Sequence, residues 1–314
     1  MKIAVTCIQL IRDIELYLPA LEDSGFEVSI PEIKGQHLEG DNLIAALEGS
    51  IGVVAGDDQF TAEVLDKCPE LKVISKWGIG TDGIDREAAV QRGISVMNTP
   101  GAFDDEVADI TMGYCVMLLR QIHKIDQGVR DGGWPKPAGH SLADKTIGIV
   151  GLGGIGRAVV KRAMVAGMNV LGSDPSLESQ ELATALGARI VSLEELMMES
   201  NIVSINCPLT PDTHHLINDE RLSLMKLGGW LINVGRGAVV DTEALLAALQ
   251  NGTLAGAALD VLEEEPPPLD HPIRNYPDVI FGSHNASNTV EASKRVHVRA
   301  LNNLATALNV EVDL

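Results

Sequence analysis

An apolar run, VIFGS, ends at His284 and continues into small polar residues, NASN. A histidine where a buried strand stops is ordinarily a polar group satisfied by a nearby carbonyl. Two further stretches put charge in the same kind of place. WLINVG runs into Arg236, set between Gly235 and Gly237, and AGAALDV carries Asp260 and leads to Glu263, Glu264 and Glu265 before Pro266. Singly, these read as a solvated strand-end charge and an exposed acidic face. Together, an Arg, a Glu and a His form a set suited to reducing a 2-keto acid. A guanidinium grips a carboxylate and a keto oxygen through paired bonds. An imidazole gives or takes the carbinol proton, worth about 10²–10⁴ in rate. A carboxylate beside the imidazole holds it and favours its charged form. The hydride would belong to a nicotinamide.

Such a set needs a sheet whose strand ends converge. TIGIV, NVLGSD, IVSINCP, WLINVG, AGAALDV and VIFGSH form an α/β series of six strands, matching a dinucleotide-binding sheet in count, with ligands expected beyond the carboxyl ends. Its first turn, GLGGIG, holds Gly151, Gly153 and Gly156 in G-x-G-x-x-G order. The first glycine permits the turn, the second lets backbone approach a pyrophosphate, and the third brings helix close to strand. The N–H groups near Gly154 and Ile155 would carry the phosphates at the positive helix end. The next strand ends at Asp174, 174 − 156 = 18 residues on, where a carboxylate accepts ribose hydroxyls. Its neighbours Ser173, Pro175 and Ser176 include no Arg for a 2′-phosphate, so the cofactor reads as NAD rather than NADP.

That loop lies in mid-chain, so another α/β unit precedes it. KIAVT, FEVSI, GVVAG, KVIS and ISVMN alternate with DNLIAALEG and TAEVLDKCPE, helical segments that begin with a capping Asp or Thr. A long helix is expected from about Asp105 to Val129. Val107, Ile110, Tyr114, Met117 and Leu118 lie on one face of it, and Ala108, Cys115 and Leu119 on another. DGGWPKPAGHSLADK reads as a linker. A last helix, about Val290 to Leu308, carries Val298, Leu301, Leu304 and Leu308 on one side and is expected to pack back on the first unit.

The bulk numbers agree with two such units. The chain has 314 residues, 45% of them hydrophobic, with a mean hydropathy of +0.12. Its formal charge is 24 − 44 = −20, which makes nucleic acid and anionic lipid poor partners and obliges any anionic substrate to find a local basic feature. No uncharged apolar stretch approaches the length of a membrane span, and MKIAVTCIQL lacks the layout of a cleavable signal. Cys7, Cys68, Cys115 and Cys207 are scattered without a CxxC pair, as in a cytoplasmic protein with buried thiols. No metal site is expected.

SKWGIGTDGID, NTPGAF followed by VAD, TIGIVGLGGIG, NVLGSDP, NVGRGAVVD, AGAALDVLEEEP and GSHNAS occur in that order. Across nearly its whole length the chain resembles the D-isomer-specific 2-hydroxyacid dehydrogenases, in their phosphoglycerate dehydrogenase-like branch. The resemblance implies two doubly wound parallel-sheet domains: a Rossmann NAD-binding domain, 100–286, inserted into a flavodoxin-like substrate domain made of 1–99 and 287–314. It implies a catalytic Arg236, Glu265 (the glutamate directly before proline) and an acid/base His284. Gly154 and Ile155 fall to the pyrophosphate and Asp174 to the ribose. Cys207, Pro208, Val234, Asp260 and Ala286 fall to the rest of the cofactor. Backbone amides at Gly78, Ile79 and Gly80 would hold the substrate carboxylate, and a homodimer joined through the cofactor domains is expected.

The sequence also departs from the family pattern. Ser283 stands where Pro usually precedes the histidine, Ala286 and Ser287 stand where Gly is usual, and Asp109 replaces a common Glu. Where phosphoglycerate dehydrogenases tend to carry an arginine for phosphate, this chain has Ala55, Gly56, Asp57 and Asp58, with Lys76 the nearest counter-charge. The expected substrate is therefore a small 2-keto or 2-hydroxy acid of the glyoxylate or hydroxypyruvate type. The alternatives are 3-phosphoglycerate oxidation with Lys76 on the phosphate, an NAD-sensing transcriptional corepressor of the same fold, and a formate-type dehydrogenase.

Overall fold

Five short strands, β1 (Lys2–Val5), β2 (Glu27–Ser29), β3 (Gly52–Ala55), β4 (Val73–Lys76) and β5 (Ser95–Met97), open the computed structural model, which describes all of residues 1–314. They pair in parallel in the order β2-β1-β3-β4-β5, so the chain winds outward from β1 in both directions, the flavodoxin-like order. Every residue of β3 and β4 is buried, which explains why they read as continuous apolar runs rather than alternating ones. Thr61 caps its helix by accepting from the Val64 N–H, as the sequence suggests. Asp41 does not cap: the helix begins at Gly40 after Glu39, and Asp41 lies inside its first turn, where it still opposes the positive helix end.

This sheet is completed from the far end of the chain. Contacts divide the molecule into two compact units, Met1–Ala102 with Thr289–Leu314, and Phe103–Asn288. The final helix, Val290–Ala307, belongs to the first unit, and its Ala300 carbonyl accepts from the buried Ser75 hydroxyl of β4 at 2.7 Å. The buried stripe runs through Ala292, Val296, His297, Ala300, Leu301 and Leu304. Val298 and Leu308, expected on that face, are only half-buried. His297 takes the central place because it is hydrogen-bonded on both ring nitrogens, at 2.9 Å to the Trp77 indole and 3.2 Å to Asp13. A polar ring so satisfied can be buried, and a periodicity count of apolar residues passes over it.

The second unit holds seven parallel strands: β6 (Thr146–Val150), β7 (Asn169–Ser173), β8 (Arg189–Ile190), β9 (Ile202–Ile205), β10 (Gly229–Asn233), β11 (Leu254–Leu259) and β12 (Val279–Phe281). Their order is β12-β11-β10-β9-β6-β7-β8, the doubly wound dinucleotide-binding arrangement with one further strand at the β12 edge. Six of the seven carry the expected runs. The missed strand, β8, has two residues and pairs only with Leu171 and Gly172 of β7, too little to leave a pattern.

The single long helix expected from about Asp105 to Val129 is not formed. The segment is two helices, Asp104–Arg120 and Ile122–Arg130, broken at Gln121, whose φ of 53° is left-handed. Nothing in the sequence marks that break, because a non-glycine residue makes it. The first helix buries Val107, Ala108, Thr111, Tyr114, Cys115, Leu118 and Leu119, whereas Ile110 is exposed and Met117 only half-buried. The second buries no residue. The linker then runs exposed from Asp131 to Ser141, turning back where the His140 N–H donates to the Leu119 carbonyl.

Candidate active site

The carboxyl ends of four adjacent strands of the second unit carry the predicted residues, and the parallel register aligns them. Ile205 lies opposite Asn233, Asn233 opposite Leu259, and Leu259 opposite Phe281. One step beyond, the connections are bound by backbone: Val234 N–H to the Ile205 carbonyl, Asp260 N–H to Asn233, Gly282 N–H to Leu259, and His284 N–H to the Asp260 carbonyl at 2.7 Å. Cys207, Arg236, Asp260 and His284 therefore issue from one edge of the sheet.

His284 is left-handed, with φ of 54°, and its Nδ1 lies 2.7 Å from Oε2 of Glu265. The other oxygen of Glu265 accepts the Leu262 N–H at 2.9 Å, so the carboxylate is held at both ends. Leu262 in turn is packed under the arginine turn: a Cβ on Gly237 would come within 1.9 Å of the Leu262 carbonyl group. On its other side, a Cβ on Gly235 would lie 2.7 Å from the Cys207 carbonyl oxygen. Glycine on both sides of Arg236 is thus required by close backbone approach. Asn233, nearly fully buried, stiffens the turn, accepting from the Gly235 N–H and donating to the Arg236 carbonyl. Arg236 Nη1 donates to the Gly235 carbonyl at 2.9 Å.

Asp260 and Ala286 come together in a way the residue types do not announce. The Asp260 carboxylate, 4% exposed, accepts the N–H groups of Asn285 and Ala286 at 3.3 and 3.0 Å and the Tyr114 hydroxyl at 3.4 Å. It ties down the segment that carries His284. Gly282 makes this possible, since any Cβ there would strike Asp260 Oδ1 and the Tyr114 hydroxyl. Burial first, and then the Asp260 charge, push the Tyr114 phenol above its ordinary range, so it remains a donor.

The glycine loop fits a dinucleotide. Gly151 has φ of 91° and packs against Cys207, while a Cβ on Gly156 would lie 2.0 Å from the Gly151 carbonyl oxygen, enforcing the close seat of helix Gly154–Val165. Gly153 is the N-cap, with no side-chain cap and no atom within 4 Å of where its Cβ would be. The helix therefore presents Gly154, Ile155 and Gly156 N–H groups over an open cradle, as an anionic pyrophosphate requires. A Cβ on Gly154 would instead collide with Asp104. Asp174 accepts the Leu152 and Ser176 N–H groups at 2.7 and 2.8 Å, which fixes a carboxylate at the β7 end with lone pairs remaining for hydroxyl donors. Cys207 is buried beside the loop and burial pushes its thiol up to about 11, so it is an uncharged wall rather than a nucleophile. Val234 is buried too, whereas Pro208 is exposed and its carbonyl accepts the Thr213 hydroxyl at 2.7 Å.

A second histidine–carboxylate pair braces the same loops. His215 Nε2 lies 2.7 Å from Glu263 Oε1, and Glu263 Oε2 accepts the Thr242 N–H at 2.8 Å. Burial raises the Glu263 carboxyl, but the bonds from Thr242 and His215 outweigh it and leave the group below its ordinary range. Neither His215 nor Glu263 within the acidic run stands out in the sequence. A bond between residues 48 apart in the chain leaves no local pattern.

In the first unit, the loop after β4 is held by the end of β5. The Gly78 N–H donates to Thr99 Oγ1 at 3.1 Å, the Thr99 N–H returns to the Gly78 carbonyl, and the Asn98 amide donates to the Ile79 carbonyl at 2.7 Å. Gly78, with φ of 121°, is thus a bend whose own N–H is engaged, while the Ile79 and Gly80 N–H groups meet no backbone acceptor. Lys76 is nearly buried, 3.0 Å from Asp57 and 2.8 Å from the Trp77 carbonyl. It is not an uncommitted cation.

Residues 112–286 match the family model described as D-isomer specific 2-hydroxyacid dehydrogenase, NAD binding domain. The chain belongs to the D-isomer-specific 2-hydroxyacid dehydrogenases. A glyoxylate reductase of Thermofilum pendens is 44% identical over 81% of the chain and 77% of its own length. A D-3-phosphoglycerate dehydrogenase of Methanocaldococcus jannaschii is 39% identical over 79% of the chain, which spans 47% of that longer relative. Among solved structures, a D-lactate dehydrogenase from Aquifex aeolicus complexed with NAD and lactic acid superposes with a TM-score of 0.86 at 28% identity, covering 98% of this chain and 96% of that one. This 2-hydroxyacid dehydrogenase is accordingly an NAD-dependent oxidoreductase, with a Rossmann fold in its second unit. No helix is long and apolar enough to cross a membrane.

Proposed function

We propose that the enzyme interconverts a small, unphosphorylated 2-keto acid of the glyoxylate or hydroxypyruvate type and its D-2-hydroxy acid. When bound, NADH supplies the hydride to the keto carbon; the remaining tasks fall to the chain. Arg236 orients the carboxylate and keto oxygen. His284 delivers the proton to that oxygen from Nε2, since its Nδ1 is occupied by Glu265 at 2.7 Å, the observation that carries the reading. Glu265 keeps the ring oriented and balances its charge. The N–H groups of Ile79 and Gly80 hold the substrate carboxylate, Gly78 supplying the bend. Residues 1–99 and 287–314 serve substrate and 100–286 serve cofactor, with Gly151, Gly153, Gly154, Ile155 and Gly156 on the pyrophosphate, Asp174 on the ribose, and Cys207, Pro208, Val234, Asp260 and Ala286 around the remainder. The active form is a cytoplasmic homodimer, a location supported by four buried free thiols.

The preference for unphosphorylated acids rests on Lys76, whose charge is already matched by Asp57. NADH oxidation across a panel of 2-keto acids, with the product's handedness assigned, tests the reading. Turnover of glyoxylate or hydroxypyruvate to the D product is expected. Saturating turnover of 3-phosphoglycerate, with none of the small acids, would overturn it in favour of phosphoglycerate oxidation.

A further inference from the structure

We propose that His297 is a positioning residue for the substrate: from the final helix it fixes the Trp77 indole, and with it the loop from Gly78 to Gly80. The inference rests on the assignment of that loop to the substrate carboxylate. Trp77 is the first residue past β4 and is buried. Its backbone N–H donates to the Ala55 carbonyl at the end of β3, at 2.9 Å. Its indole N–H donates to Nδ1 of His297, also at 2.9 Å. A second tie runs from the same helix to the other part of the loop. The Asn303 amide donates to the Asn98 carbonyl at 2.9 Å, and the Asn98 amide donates to the Ile79 carbonyl at 2.7 Å. Helix Val290–Ala307 therefore holds the loop at two points, one on each side of Gly78.

The imidazole suits its place for a chemical reason. An indole N–H can only donate, so Nδ1 of His297 offers its lone pair and the hydrogen of the neutral ring sits on Nε2. That nitrogen lies 3.2 Å from Oδ2 of Asp13. Asp13 ends helix Ile8–Asp13, where a carboxylate works against the helix dipole, and the ring N–H offsets that disadvantage. His297 is 1% exposed, and the Tyr17 ring meets it edge-on with centroids 5.8 Å apart. Burial holds the imidazole pKa below the ordinary histidine range, although Asp13 pulls it upward, which favours the neutral ring that Trp77 needs. An apolar residue at 297 would fill the space but leave the buried indole N–H without its acceptor. Trp77 adjoins Gly78, so a shift of the indole passes directly to the Ile79 and Gly80 N–H groups.

The test uses the full chain in NADH-coupled turnover of hydroxypyruvate. In His297→Leu the KM for hydroxypyruvate should rise about tenfold, as expected for one buried donor left unpaired, with kcat and the KM for NADH little changed. Trp77→Phe removes the donor from the other side and should raise the same KM, and adding His297→Leu to it should have little further effect. His297→Gln, whose amide can accept from the indole and donate to Asp13, should restore the KM towards that of wild type. Hydrogen exchange of the amides of residues 77–80, followed without substrate, should quicken in His297→Leu and Trp77→Phe and not in His297→Gln. Unchanged exchange and KM in Trp77→Phe, or effects of the two substitutions that add in full, overturn the inference. Faster exchange with an unchanged KM removes the loop, and the inference with it, from substrate binding. Failure of the wild-type protein to turn over any 2-keto acid would instead overturn the proposed function.

Discussion

At the scale of single residues, the site is economical because each side chain is fixed by something other than its reacting partner. Glu265 is held through the Leu262 N–H while it holds His284. Glu265→Gln keeps an oxygen for that N–H and removes only the charge opposite the imidazole. We expect kcat to fall by roughly 10-fold or more with melting temperature almost unmoved, whereas His284→Gln, which removes the proposed proton carrier, should cost about 10²–10⁴ in kcat. NADH affinity, followed by fluorescence titration, should change little in either variant. An Glu265→Gln enzyme as fast as wild type would show that the 2.7 Å pair is ornamental to turnover. His284, Arg236 and the glycines of the loop were legible as candidates from residue type alone. Choosing Glu265 from three consecutive glutamates was not: only the resemblance to the family selected it. In the structure it is Glu265 that lies against His284, whereas Glu263 two residues earlier faces His215.

At the scale of elements, glycines decide how closely the loops interlock. Gly237 brings the Arg236 turn onto Leu262, and Leu262 carries the N–H that fixes Glu265. A methyl at 237 meets backbone, not a flexible side chain, so the turn must move. Gly237→Ala should therefore lower kcat/KM by about 10²-fold, given that displacements near 1 Å cost that much, while cofactor affinity, set mainly at the Gly151–Gly156 loop, changes less. Comparable loss of both would assign Gly237 to the stability of the unit as a whole. The elements also show what periodicity could and could not convey. Runs buried on both faces, such as β3 and β9, announce themselves. The two-residue β8 does not, and the break at Gln121 could not be anticipated, because a left-handed glutamine leaves the same composition as an unbroken helix. Nor could Asp260 be distinguished as the anchor of the His284 segment, since its bonds are to backbone N–H groups that every residue possesses.

At the scale of the whole molecule, the scattered cysteines have a collective consequence. All four are free and buried. Burial pushes the thiols of Cys7 and Cys115 from an ordinary 9.0 up to about 12, and that of Cys207 up to about 11. Unfolded, they release their protons near pH 9; folded, they retain them. The native state therefore binds more protons than the unfolded state above that pH, and stability must decrease as pH rises. The contribution is fully present below about pH 9 and is lost progressively through about 11 for Cys207 and 12 for the other two. Each thiol steepens that fall inside its own window, and the three act in the same direction. Urea midpoints taken at half-unit steps from pH 8 to 10.5 should be flat at first and then fall steeply. The net charge of −20 also favours alkaline expansion, but that repulsion does not depend on sulfur. A Cys115→Ala variant separates the two: its alkaline slope should be measurably shallower, and a slope identical to wild type would assign the loss to general charge repulsion.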